Sequence, residues 1–323
     1  MKKYWILIIA FSFILSLTAC NMKNSAADEN GWLYDRDEIL RAVSEVETAM
    51  MEESEKFTEN TDYIDEQVPA KRTFSFDGKS IDLIYQESHR GIIDDPNSDY
   101  KKIYTAYDTY IEEGTENIYS FFSCTNVLCH IIFCENIFSG EEFERGGIIE
   151  SKAWENGREA AVEKALAFLR KIYDPVLIND YVLDSCKPDY NGHAYLLNFM
   201  RIRYVQGYGI YDNIPVLIKG NSDVIYYYAP NIGYAEYFYN KCMALPEIDK
   251  EKTYTAMLCQ LADLDIENYT IHGPGFMEDD TGKYFAEYRI DYTFYDDSPK
   301  ELDIEPTEIE TSHTIYQPIF FKE

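Results

Sequence analysis

Apolar residues along this chain follow two spacings that take turns. Over residues 35–56, Ile39, Val43, Val46 and Met50 recur three or four positions apart with acids on the other side, which predicts an amphipathic helix. Residues 72–76 and 80–85 then alternate, separated by Asp77-Gly78, a strong hairpin signal. Further strands are predicted at 102–110, 118–123 and 127–133. The period returns to helical over 157–173, where Val162, Ala165, Leu166, Leu169 and Ile172 form a stripe, Asn156 and Glu159 resemble a capping box and Asp174-Pro175 is a stop. Strands follow at 181–186, 194–204, 214–219 and 224–228, the last two joined by a polar loop at 220–223. A third helix is predicted over 250–264, with Tyr254, Met257, Leu258 and Leu261 on one face. Strands at 269–272, 285–295 and 313–321 come after it, with a turn at 279–282. Helix-then-strands without βαβ alternation indicates α+β architecture: about three tandem units, each a helix on an antiparallel sheet, over 35–150, 151–245 and 246–323. A helix across one face of each sheet leaves the other face available.

Residues 1–20 break this pattern. Lys2 and Lys3 precede an apolar run over 4–17, shorter than the roughly 20 residues a helix needs to cross a bilayer. Leu17-Thr18-Ala19-Cys20 closes the run and resembles the lipobox of bacterial lipoproteins, which implies cleavage before Cys20, lipid on its thiol, and a cell-membrane address on the extracytoplasmic face. Residues 21–34 are then a polar tether. Two acyl chains anchor stably where one does not.

Charge sharpens the expectation. Without the signal's two lysines the chain carries 27 basic and 58 acidic residues, a net of −31. Such a surface repels nucleic acid and anionic lipid, so the lipid itself is the expected membrane contact. Aromatic residues make up 15%, including 29 Tyr and 18 Phe, which excludes a disordered chain. Beyond Cys20 there are six cysteines, Cys124, Cys129, Cys134, Cys186, Cys242 and Cys259. Disulfides, free buried thiols or a metal site with His130 are all readings of them. The five-residue gaps from Cys124 to Cys134 place neighbours on opposite strand faces, which favours free thiols or a single bridge.

No cofactor fingerprint occurs, and the five histidines (His89, His130, His193, His272 and His313) form no metal-binding spacing. Ser98-Asp99-Tyr100-Lys101 fits Ser-x-x-Lys in form but follows a turn and enters a strand, so the two side chains do not share a helix face. Met277-Glu278-Asp279-Asp280-Thr281-Gly282 offers carboxylates without the EF-hand spacing and reads as a hairpin turn. Tyr226, Tyr227 and Tyr228, with Tyr234 nearby, are the expected binding surface, since exposed tyrosine makes adaptable contacts.

From Asn156 to Phe238 the chain resembles the PepSY-type units of Firmicutes cell-surface proteins, including YcdB/YcdC-like lipoproteins. The likeness lies in the helix over 161–173, the strand Phe199-Met200-Arg201-Ile202-Arg203-Tyr204, its continuation Val205-Gln206-Gly207-Tyr208-Gly209-Ile210, and the hairpin over 214–228. Residues 99–133 are similar to the last strands of a preceding unit. Its motifs are turn glycines and apolar alternation, which cystatin-like sheets share. The resemblance implies a non-catalytic extracytoplasmic module and brings no functional residues with it. The expected function is a lipid-anchored binding or regulatory module engaging a protein or peptide at the envelope; the alternative is an envelope hydrolase with an unrecognised carboxylate site.

Overall fold

The computed structural model describes residues 31–53, 61–94, 102–137, 151–189, 194–219, 224–229, 231–264, 266, 268–279, 282–296 and 307–322. The signal, Leu17, Thr18, Ala19 and Cys20 lie outside the described residues, as do the Ser98-to-Lys101 motif, His193, the loop at 220–223, and Asp280 and Thr281 of the 279–282 turn.

The fold is mixed α+β and strand-rich. Helix α1 (Arg36–Glu53) precedes strands β1 (Thr61–Tyr63), β2 (Lys71–Phe76), β3 (Lys79–Asp94), β4 (Lys102–Glu112), β5 (Ile118–Phe122) and β6 (Leu128–Ile132). Helix α2 (Ser151–Ile172) and the short α3 (Pro175–Ile178) lead into β7 (Val182–Asp189), β8 (Ala194–Val205), β9 (Tyr208–Lys219) and β10 (Val224–Tyr228). Helices α4 (Tyr234–Cys242) and α5 (Lys250–Asp263) are followed by β11 (Tyr269–Glu278), β12 (Tyr284–Asp296) and β13 (Thr307–Pro318).

Among the described residues all thirteen strands join one sheet. The main path runs β1-β3-β4-β5-β6-β10-β9-β11-β12-β13, with β2 added on β3 and the β7–β8 pair added on β9. Strand β9 is the branch point: β8 pairs along one edge, and the other is shared by β10 at Val216–Ile218 and β11 at Gly209. The β9–β11 contact is parallel, an exception to the antiparallel pattern expected from the sequence.

Two large apolar clusters fill the helix side. The first draws α1 (Ile39), α2 (Ala165, Leu169), β5 (Phe121), β8 (Phe199) and β10 (Tyr227) together. The second gathers the turn between β8 and β9 (Val205, Tyr208), α4 (Phe238), α5 (Met257, Leu261) and β11 to β13 (Phe276, Ile290, Ile315). Helix α5 buries Thr253, Met257 and Leu261, while the expected Tyr254 and Leu258 are exposed, so its buried line is a single 253/257/261 row. Helix α2 likewise buries Ala161 and Phe168 with Ala165, Leu169 and Ile172, leaving Val162 and Leu166 at the margin.

Several boundaries differ from the sequence expectation for identifiable reasons. Helix α2 starts at Ser151, so Asn156 lies inside it and is not its cap. Strand β3 runs ten residues beyond Ile84 because its inward polar side chains find partners: Ser88 Oγ donates to Asp108 Oδ1 at 2.7 Å and Arg90 Nη1 donates to Ser123 Oγ at 2.7 Å. Helix α4 carries no local cap residue. Its Ala235 amide donates 2.9 Å to Asp212 Oδ2, a carboxylate supplied by β9. Both turns expected from their glycines form, with Asp77 and Gly78 at φ of 53° and 71° and Gly282 donating to the Asp279 carbonyl.

Gly233 opens α4 at φ +84°, and a Cβ there would lie 2.7 Å from Ile39 Cγ2 and 3.3 Å from Val43 Cγ2 on α1. Left-handed strain and overpacking add, so Gly233→Ala is expected to lower unfolding free energy by about 3 kcal/mol in guanidinium titration. An unchanged midpoint would mean that α1 and α4 are not held at this distance.

Candidate functional site

Side chains alternate across the sheet, and the helices occupy one side of it. Tyr227 points to that side, fully buried against Phe168 of α2 at a ring distance of 5.7 Å, with its hydroxyl bonded to that of Tyr173. Its neighbours Tyr226 and Tyr228 therefore point to the opposite face. Of the four tyrosines expected to form a binding surface, Tyr227 is corrected to a core residue by this alternation. Tyr234 does not join the others either: it sits on α4, stacked on Phe238 at 5.3 Å.

The face opposite the helices has a built arrangement around Tyr226 and Tyr228. Strand register carries Glu87 to Thr109, Thr109 to Ser120, Ser120 to His130 and His130 to Tyr228, a line across β3, β4, β5, β6 and β10. In its middle stand the short side chains of Thr109 and Ser120, hydroxyls 3.2 Å apart. One flank is apolar, since Ile111, Ile118, Ile132 and Tyr226 are register partners in turn. The other runs from Asp62 through His89 and Tyr107 to Phe122. The result is a shallow groove crossing the strands, with a small polar floor and half-buried apolar banks.

At one end the groove closes on three rings. The His130 imidazole lies 5.2 Å from the Tyr226 ring and 5.6 Å from the Tyr228 ring, nearly perpendicular to both. The two tyrosine rings are 6.3 Å apart and inclined by 31°. Burial pushes the His130 imidazole down to about 4, and its Nε2 has no hydrogen-bond partner, so the ring is neutral near pH 7. Burial also pushes the Tyr226 and Tyr228 phenols up to about 12, with smaller contributions to Tyr228 from nearby Cys129 and Tyr107. At the other end Glu87 is exposed. Asp62 Oδ1 accepts from His89 Nδ1 at 2.6 Å, and the His89 ring stacks on Tyr107 at 4.7 Å. These groups offer aromatic faces, carboxylates and hydroxyls, the chemistry of recognition.

The carboxylates with the strongest partners lie on the helix side. Arg201 of β8 is fully buried; its Nη2 donates to Asp212 Oδ2 of β9 at 3.0 Å and its Nη1 to Glu236 Oε2 of α4 at 3.0 Å. Arg36 of α1 pairs with the same Glu236, and the Tyr181 ring lies 4.9 Å from the Arg201 guanidinium carbon. Burial raises the Asp212 carboxyl, against the pull of Arg201 and the Tyr181 hydroxyl. For Arg201 burial acts to lower the guanidinium, and its anionic neighbours outweigh it, so it is held charged. Glu236 thus lies between two arginines, and Asp212 faces Arg201. Asp212 Oδ1 and Arg201 Nε lack partners within this otherwise satisfied cluster.

Among the described residues no group of three or more His, Cys, Asp or Glu side chains is placed to hold a metal ion. No disulfide joins the six cysteines among the described residues: Cys129 and Cys242 are buried, Cys124 and Cys259 exposed. Cys129 donates to the Ser120 carbonyl at 3.4 Å and is the extra residue where the β5–β6 register shifts between Leu128 and His130. At the 279–282 turn, Asp279 Oδ1 accepts from the Lys283 amide at 2.9 Å, a turn role for that carboxylate.

Sequence reasoning weighed His130 and His89 only as metal ligands and passed over Tyr107 and Asp62; only strand register brings the four to one face. Arg201 and Asp212 did leave a signal. Each is a charge at an inward position between apolar residues, Phe199 before one and Ile214 after the other.

No protein-family model matches the chain, and no curated protein matches it. Among solved structures, the Bacillus megaterium YpeB C-terminal domain is similar over 87% of this chain and 95% of its own, at 10% identity and a TM-score of 0.29. That similarity is too low to bring anything from that domain to this chain.

Because the folded His130 resists protonation down to about 4 and an open chain takes the proton near 6.5, stability complete above pH 6.5 is lost as pH falls towards 4. Urea midpoints measured from pH 7 to 4 should therefore drop less steeply in His130→Phe than in the parent. Parallel curves would place His130 in water.

Proposed function

We propose that the chain is a non-catalytic, lipid-anchored binding module of the extracytoplasmic membrane face, engaging a protein or peptide of the envelope through the groove around Tyr226, His130 and Tyr228. The observation that carries this reading is the aromatic groove on the sheet face opposite the helices. A face of paired tyrosines that stays half-buried, with polar groups at its floor and ends, suits a recognition surface. The run over 1–20 and Cys20 supports the anchor, and no described helix is long and apolar enough to cross a membrane. We read the body as three helix-led units of the PepSY kind merged into one sheet, which accounts for helices before β1, β7 and β11.

The test uses the tagged full-length chain solubilised from cell envelopes. A partner captured saturably by the parent should be lost with Tyr226→Ser/Tyr228→Ser at unchanged circular dichroism, and Cys20→Ala should move the chain from the membrane to the soluble fraction. Equal capture by the double variant would remove the groove from the reading; membrane retention of Cys20→Ala against washing would remove the anchor.

A further inference from the structure

The groove is asymmetric in a way that selects among peptides. At the β10 end, two tyrosine rings rise from positions 226 and 228 of one strand, and His130 stands across them on β6. Each ring presents a π-face whose quadrupole attracts a cation, and an organic cation enclosed by several such faces is a recurrent mode of recognition. A protonated histidine would oppose a cation there, but His130 is kept neutral by its burial.

The far end offers full charge. Glu87 is exposed, and Asp62, with 59% of its side chain exposed, lies one strand further out beside His89. From Tyr228 to Glu87 there are four inter-strand steps, roughly 19 Å at the usual strand spacing. An extended chain covers that distance in about six steps, from one residue to the seventh, whose side chains share a face. Between the ends, the isoleucine bank and the Thr109–Ser120 floor suit small apolar and hydroxyl side chains. The whole protein carries a net charge of −29, which draws cationic segments in and turns anionic ones away.

We infer that the groove takes an extended basic peptide of about seven residues, one cationic side chain lying on the Tyr226–His130–Tyr228 ring cluster and a second meeting Glu87, with small residues between them. This rests on the binding-module reading and adds the partner's chemistry to it.

The probe is the synthetic peptide acetyl-Arg-Val-Ser-Val-Ser-Val-Arg-amide, whose two arginines share one face of the extended chain, titrated into the full-length chain carrying 3-fluorotyrosine and followed by fluorine NMR, with a citrulline-for-arginine peptide as the uncharged match. The arginine peptide should bind saturably, shift the resonances of Tyr226 and Tyr228, and bind about tenfold more tightly than the citrulline peptide. Tyr228→Leu should weaken it about fivefold and Tyr228→Phe, which keeps the ring, should not. Glu87→Gln, at an exposed position, should weaken it about threefold, while the remote exposed Glu310→Gln leaves it unchanged. Equal affinity for both peptides would overturn the inference, as would arginine-peptide binding indifferent to Tyr228→Leu and Glu87→Gln. Self-association that shifts the same resonances without peptide would overturn it in favour of a second copy. Loss of an envelope partner in Tyr226→Ser/Tyr228→Ser, with no arginine-peptide binding, would overturn the cationic partner and leave the groove as the binding face.

Discussion

A guanidinium with no access to water must be matched charge for charge, and in this protein that requirement falls on Arg201. Its two bonds go to Asp212, directly opposite on β9, and to Glu236, on a helix that the chain reaches only later. Arg36 of α1 completes a neutral quartet of two arginines and two carboxylates. Single partners would leave an uncompensated buried charge, so strand pairing, the seat of α4 and the entry of α1 are tied to one another. Asp212 adds the Ala235 amide of α4 to its bonds, so the same carboxylate pairs the arginine and caps the helix.

The quartet also divides the interior. Along β8, Leu197 and Phe199 belong to the first apolar cluster and Val205 to the second; along β9, Ile214 and Val216 belong to the first and Ile210 to the second. Arg201 and Asp212 stand at the change from one to the other. With the helices drawn to this side of the sheet, the opposite face holds residues of intermediate exposure and a small buried cluster of Ala194, Leu217 and Ile225 against which Tyr226 packs. There the register of five strands assembles the groove that ends at Tyr226, His130 and Tyr228. The position of this open face thus follows from where the buried charges seat the helices.

Most of the elements were legible from periodicity, because residues such as Ile39, Ala165 and Met257 meet the core at helical spacing and 194–205 alternates as a half-buried strand does. What escaped depends on partners distant in sequence. Helix α4 is capped by a carboxylate 23 residues upstream of Ala235, a distance over which no local cap rule applies. The outer half of β3 hides behind polar inward residues that Asp108 and Ser123 satisfy. Of the tyrosine cluster, Tyr226 and Tyr228 stand in the groove while Tyr227 and Tyr234 do not, a division that strand alternation and the unforeseen α4 impose together. His130 became part of a site only through its cross-strand neighbours.

The dependence on Arg201 is tested most directly by urea unfolding of three variants. Arg201→Met, which leaves Asp212 facing no cation, should cost about 3–5 kcal/mol, while Arg201→Met/Asp212→Leu should recover most of that loss. Arg36→Met, at the partly exposed rim, should cost about 1 kcal/mol or less. Arg201→Met within about 1 kcal/mol of the parent, or a double variant no more stable than the single, would contradict the account.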